Sequence, residues 1–277
     1  MDIATLVHHY LWLIPVGLLV GSYGTLIGAG GGFVLMPLLL IAYPNDNVAT
    51  LTSISLAVIC FNASSGSWAY ARMKRIDYKS GIVFSLATTP GAILGALATM
   101  YIPRRQFDLV IGTLMIVTCI FLVLRPGKEA KPAHKHTRFH WIREITEADG
   151  ATHAFSYNSL LAIIWSVFVG FFSSLLGIGG GIIHVPVLVH LLNFPVHIAT
   201  ATSHFTLAFM AFTGTLTHVA SGTFHHGAMR TVFLGIGVLA GAQLGAHYSS
   251  RIHGDWIIRS LALALGFVGL RVLYSAF

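Results

Sequence analysis

Charge is scarce in this chain. Only 9% of its 277 residues are Asp, Glu, Lys or Arg, against about a quarter in an ordinary soluble domain, while 55% are hydrophobic. A water-solvated globule is therefore excluded, and the balance is that of a membrane protein. Cysteine is equally sparse: Cys60 and Cys119 both fall in apolar runs, with no CxxC or metal-ligand spacing, which excludes a disulfide framework and a redox or zinc motif. Acidic residues are missing from the apolar runs, since Asp46, Asp77, Asp108 and Asp255 stand near their ends; a cation pump built on buried carboxylates is excluded. No Walker motif is present, so ATP is not the energy source. The opening MDIATLVHHY has no basic region of the kind that starts a signal peptide, and the first apolar segment is expected to stay in the mature protein.

What is present is a run of apolar stretches, several near the 20 or so residues that cross a bilayer. They fall into two matching sets. Gly28, Gly30, Gly31, Gly32 and Pro37 align with Gly177, Gly179, Gly180, Gly181 and Pro186 at an offset of 149. Ala49, Thr52 and Ser53 align with Ala199, Thr202 and Ser203 at 150, as does GAILGA at 91–96 with GAQLGA at 241–246. A register held over some 70 residues marks a duplication. We read residues 1–125 as a first membrane repeat, 126–156 as a polar linker and 157–277 as a second repeat. The linker is expected to be a solvated loop with a short surface helix around Trp141-Ile142-Arg143-Glu144; His134, His136 and His140 in it are weighed as a metal site and set below the solvated loop.

Five segments per half follow: 10–28, 31–43, 47–70, 79–101 and 106–125, then 158–177, 180–193, 197–221, 228–250 and 255–276. An odd number inverts the second copy. If the loop 71–80 faces the cytoplasm, then Arg72, Lys74, Arg75, Lys79, six basic residues of 125–143, Arg251 and Arg259 lie inside, which is 12 of the 16. Arg104, Arg105, Arg230 and Arg271 lie outside, as the positive-inside rule favours. The fold expected is an all-α polytopic membrane protein of two five-segment inverted repeats. Should segments 31–43 and 180–193 only dip into the membrane, four spans per half would make the repeats parallel. The net charge of +7 is read as orientation and lipid contact, with no nucleic acid as partner.

The glycine clusters GAGGG and GIGGG carry the functional reading. Each glycine costs a helix about 1 kcal/mol relative to Ala, so a cluster breaks it. In lipid such an irregular backbone is tolerated only where protein or water satisfies it. A new helix beginning after the break offers free N–H groups and a partial positive charge, which suits an anion. Glycine-interrupted segments at matching positions of two repeats point to a transporter site. The substrate-binding candidates are thus Gly28, Gly30, Gly31, Gly32, Gly177, Gly179, Gly180 and Gly181. Thr52, Ser53, Thr202 and Ser203 join them, either capping the next helix or donating hydroxyls to an oxyanion. GAILGA and GAQLGA are read as close helix packing. His184, His204 and His218 lie in apolar segments and are candidates for proton coupling or counter-charge.

The repeated GxGGGxxxxP, the proline turn after it and the A-T-x-T-S helix start (Ala49 to Ser53, Ala199 to Ser203) resemble the TauE/SafE sulfite exporter family of membrane permeases. The resemblance covers both halves and omits the linker; His184, His204 and His218 are not among the residues that carry it. It implies a multi-pass cell-membrane protein that exports sulfite or a small organosulfonate such as sulfoacetate, without a cofactor. Another small anion, thiosulfate or a carboxylate, is the alternative substrate. An anion channel would share the site without alternating closure. A histidine-metal membrane enzyme would need clusters such as HxxxH, whereas His8-His9 and His225-His226 are isolated pairs, so an enzyme is not expected.

Overall fold

The computed structural model describes residues 10–124, 140–224, 227–249 and 251–275. His8, His9, His134, His136, His225 and His226 therefore lie outside the described residues. The first half holds α1 (Leu13–Ile27), α2 (Gly32–Ala42), α3 (Val48–Arg72), α4 (Tyr78–Ala98) and α5 (Arg104–Leu124). The second holds α6 (Ser159–Leu176), α7 (Gly181–Pro186, continued by a π-helical turn over Val187–Leu191), α8 (Val196–Ala220), α9 (Ala228–Ser249) and α10 (Gly254–Ser275). Starts follow local chemistry: Asn47 caps α3 through Thr50 N, Asp77 caps α4 through Ser80 N, and Asn158 caps α6 through the N–H groups of Leu160 and Leu161. Six helices, α3, α4, α5, α6, α9 and α10, are long and apolar enough to cross a membrane.

The linker is not helical where a short helix was expected. Strands β1 (His140–Thr146) and β2 (Thr152–Asn158) pair antiparallel, His140 opposite Asn158 and Thr146 opposite Thr152. Trp141, Ile142 and Ile145 favour a strand, and the partner that makes one possible begins beyond a turn closed by Gly150, whose φ of +91° favours glycine. A reading of four residues around Trp141 has no access to that partner.

Small residues set the helix directions. Along α1 and α9 the contacts advance together: Gly17 meets Leu234 and Gly21 meets Val238, while Gly241 meets Leu18 and Gly245 meets Ser22. Added Cβ atoms at Gly91, Gly95, Gly241 and Gly245 would stand 2.1 to 2.3 Å from the facing backbone, so GAILGA and GAQLGA are packing seams. α4 and α6 likewise run parallel, Gly91 against Val167 and Gly95 against Phe171. By contrast α3 and α8 run antiparallel: Leu56 lies against Gly214, Cys60 reaches Ala208, and Gly66 lies against His204.

Tyr10 stacks on Phe233 near the start of α1, and at the end of α2 the backbone oxygens of Leu40 and Asp46 are held by Arg104, with Arg230 on the Asp46 carboxylate. So α1 and α2 leave by the end at which they enter. In the second half, α6 starts from β2 and the residue after α7, Phe194, stacks on Phe155 and Tyr157, so this pair enters and leaves at the opposite, hairpin end. Each half is a broken helix pair that turns back to the end it entered, followed by three further helices.

Candidate functional site

Both breaks are built on left-handed glycines. α1 ends at Gly28, with φ of +81°, and α6 ends at the equivalent Gly177, with φ of +61°. A side chain at either position would strain a backbone that only glycine adopts readily, which is why a chain rich in Leu and Ile places glycine there. The N–H of Gly28 donates to Thr25 O at 3.0 Å, and those of Ala29 and Gly30 donate to Gly24 O at 2.9 and 3.1 Å. The amides of Gly28 and Gly30 are thus spent inside the turn. From Gly31 onward the amides begin α2, whose own i−4 partners do not exist.

The two breaks lie side by side inside the molecule. A Cβ on Gly32 would stand 2.5 Å from Ile178 O; one on Gly181 would stand 2.2 Å from Ala29 Cα and 2.5 Å from Gly28 O. Gly30, Gly32 and Gly179 all face Ile59, and Gly30 also faces Leu207. Gly180 faces Val169 and Ser173, while Gly31 faces Val20. All eight motif glycines are buried, and the two interruptions touch through backbone.

Polar side chains surround them unevenly. At the first break Ser203 Oγ donates to Gly28 O at 3.4 Å and lies 3.3 Å from His184 Nδ1. His204 Nε2 lies 3.2 Å from Thr25 Oγ1, which donates to Asn62 Oδ1 at 3.1 Å; Tyr70 Oη donates to Thr25 O at 2.7 Å. At the second break Ser55 Oγ donates to Gly177 O at 2.5 Å, and Thr52 packs on Gly177. Among the described residues Thr52 Oγ1, Ser173 Oγ, Ser174 Oγ and Asn62 Nδ2 are buried beside the breaks with no partner. Burying such atoms unpaired is costly.

Three expected site residues are engaged elsewhere. Ser53 Oγ donates to Thr50 O at 2.7 Å within α3, and Thr202 Oγ1 accepts the N–H of Asp77 at 3.0 Å, tying α8 to the α3–α4 loop. His218 sits near the end of α8 with Nδ1 3.0 Å from Thr223 Oγ1, a local turn. Sequence reading missed Thr25, Ser55, Tyr70, Ser173 and Ser174. A signal existed for two of them: Thr25 and Ser174 are equivalent at offset 149, each three residues before its cluster.

The hairpin closes one side. Arg143 holds the buried Asp77 by Nη2 to Oδ1 at 2.7 Å and Nε to Oδ2 at 3.0 Å, while Ser80 Oγ donates to Asp77 Oδ2 at 2.5 Å and lies 2.6 Å from Tyr157 Oη. The Asp77 bond raises the pKa of Arg143; burial pushes that of Tyr157 up to about 12. Phe84 links this layer to the break, with ring centroids 5.9 Å from Tyr157, 6.2 Å from Phe194 and 5.7 Å from His184. His140 pairs as the first residue of β1, and no group of three His, Cys, Asp or Glu is placed to hold a metal among the described residues.

Comparison with known proteins agrees with this architecture. The chain is 31% identical over 273 residues to the probable membrane transporter protein YunE of Bacillus subtilis, covering 96% of this chain and 98% of that protein. It is 25% identical to the probable membrane transporter protein MJ0441 of Methanocaldococcus jannaschii, covering 94% of each, and 26% identical to the probable membrane transporter protein ORF9 of a Sinorhizobium species. No solved structure matches the chain. The sequence profile described as sulfite exporter TauE/SafE matches residues 13–272, nearly the whole chain, so this multi-pass membrane protein belongs to the TauE/SafE family of membrane transporters.

Proposed function

We propose that the protein is a secondary transporter that exports a small sulfur-containing oxyanion, sulfite or a short organosulfonate, and that the paired glycine breaks receive it. The reading rests above all on the unpartnered buried atoms at the breaks, Thr52 Oγ1, Ser173 Oγ, Ser174 Oγ and Asn62 Nδ2. A sulfite or sulfonate head spreads its charge over three oxygens, which the amides at the start of α2 and these donors would match without the desolvation of a buried lysine. Ile59 and Leu207 now fill the space between the clusters, so loading requires the breaks to part.

The antiparallel course of α3 and α8 and the opposite entry of the two broken helix pairs support an inverted duplication. In such a frame one pair moves against the other to alternate access. Orientation follows from charge: the hairpin end carries Arg72, Lys74, Arg75, Lys79, Arg143, Arg251 and Arg259 and would face the cytoplasm. His184 and His204, both at the first break, supply counter-charge or a coupled proton.

A thermal-shift screen of purified protein against sulfite, sulfoacetate, taurine, thiosulfate and short carboxylates tests the reading, with flux into proteoliposomes as the second measurement. Sulfite or a sulfonate is expected to stabilise the protein most. Thr52→Val and Ser203→Ala should each weaken that binding about five- to tenfold with the fold intact. Strongest response to a carboxylate or thiosulfate would move the substrate to the alternative class. Binding unaltered in both variants would remove the breaks from the site.

A further inference from the structure

A second site lies outside the transport core. Between α3 and α9 at the hairpin end is a crevice of about 470 Å³, walled by Ala69, Arg72 and Met73 on one side and by Gln243 and His247 on the other. The hairpin turn roofs it with Glu147, Ala148 and Asp149, and Ala148 N fixes the roof by donating to Met73 O at 3.0 Å.

Two arginines, Arg72 and Arg75, and two carboxylates, Glu147 and Asp149, line the crevice. Arg75 lines it, is only 8% exposed, and gives its Nε to Glu147 Oε2 at 2.5 Å, yet its Nη1 is buried with no partner among the described residues. A guanidinium N–H left unpaired at such burial calls for an acceptor. Both carboxylates nearby are occupied: Glu147 holds Arg75 and His153, and Asp149 Oδ1 accepts Ala151 N at 3.0 Å. Arg72 is exposed in the last turn of α3, its guanidinium 5.2 Å from the ring centroid of Trp68.

Below the crevice the outer surface is apolar but not uniformly so. Trp68 is 63% exposed, and Phe61 and Leu239 are also exposed. Between them Gln243 Nε2 donates to Ser65 O at 2.7 Å, an exposed polar pair on the side of a membrane helix. Positions equivalent to Arg72, Gln243 and His247 in the other half are Gly222, Ile93 and Leu97, so the polar crevice is not a product of the duplication. An unpartnered guanidinium N–H and an exposed arginine at the helix ends, with a tryptophan and exposed apolar side chains beside them on α3 and α9, match one ligand with an anionic head and apolar tails.

We propose that this crevice binds the headgroup of an anionic phospholipid, its phosphate held by Arg72 and Arg75 Nη1, with the acyl chains along Trp68, Phe61 and Leu239. The test is native mass spectrometry of the full-length protein with phosphatidylglycerol, phosphatidylcholine and free glycerol 3-phosphate. Tightest retention of phosphatidylglycerol is expected, falling about fivefold in Arg72→Ala, since one basic residue at a membrane surface contributes about that factor. Arg72 is exposed, so this variant should fold; Arg251→Ala, at a separate crevice on the same end, should leave the tightest lipid in place. Equal retention of phosphatidylcholine, no change in Arg72→Ala, or an equal loss in Arg251→Ala would overturn the proposal. Displacement of the lipid by free glycerol 3-phosphate at similar concentration would assign the crevice to a soluble anion. None of these readings involves the transported substrate.

Discussion

The two breaks are copies of one device in unlike surroundings. Each ends a helix on a left-handed glycine whose carbonyl accepts a serine hydroxyl from the antiparallel helix of the other half. At the second break Ser55 makes that bond at 2.5 Å and the neighbours are Thr52, Ser173 and Ser174. At the first, Ser203 reaches only 3.4 Å and is shared with His184, while His204, Thr25, Asn62 and Tyr70 form a titratable network beside it. The ends differ in the same sense. The hairpin ties the first half's α3–α4 loop to the second half's Phe194, whereas the ion pairs at the opposite end, among the described residues, are Arg230–Asp46 and Arg104–Asp108.

The largest effect should come from closing the glycine contact itself. Gly181→Ala and Gly32→Ala each force a Cβ onto backbone atoms, at 2.2 and 2.5 Å, and each should cost about 3 kcal/mol or more in thermal unfolding in detergent. A harmless Gly32→Ala beside a ruinous Gly181→Ala would break the equivalence of the two breaks.

Next come the end ties. Arg143→Met leaves Asp77 buried without its cation and should cost about 2 to 3 kcal/mol. Arg230→Met, whose partner Asp46 is part-exposed, should cost under about 1 kcal/mol. Because Arg143 is raised above its ordinary value, its contribution is complete below that value and fades only as pH rises through the folded one. The deficit should therefore be the same at about pH 6 and about pH 9.

A finer comparison sets the serines against each other. Ser55→Ala should cost about 1.5 kcal/mol and Ser203→Ala about 0.5 kcal/mol, as a short and a long buried bond imply. Equal costs would erase the distinction drawn between the breaks. Smallest is Lys79→Ala, which removes a cation lying 5.1 Å from the centroid of the Trp141 ring and should shift stability by about 0.5 kcal/mol.

Much of this was legible from residue order, because it depends on repetition and on the cost of glycine in a helix. The scarcity of charge revealed the membrane, and the two glycine clusters, 149 residues apart, marked the breaks. GAILGA and GAQLGA were readable as seams since small residues four apart permit close approach. Ser53, Thr202 and His218 show the limit of residue order, because a hydroxyl or ring in an apolar helix looks the same whether it serves a ligand or another part of the fold. Only its partner decides, and for Thr202 that partner is Asp77, 125 residues away. The β-hairpin stayed hidden for a like reason: a strand is made by its neighbour.

By itself the sequence determined where the helices break and that they break twice, since glycine's conformational freedom is local and needs no context. Tertiary structure alone decided that each broken pair turns back to the end it entered, that the two breaks touch, and which buried hydroxyls are left without partners. Those outcomes depend on which surfaces meet across the whole chain, and contact between distant segments is a property of packing.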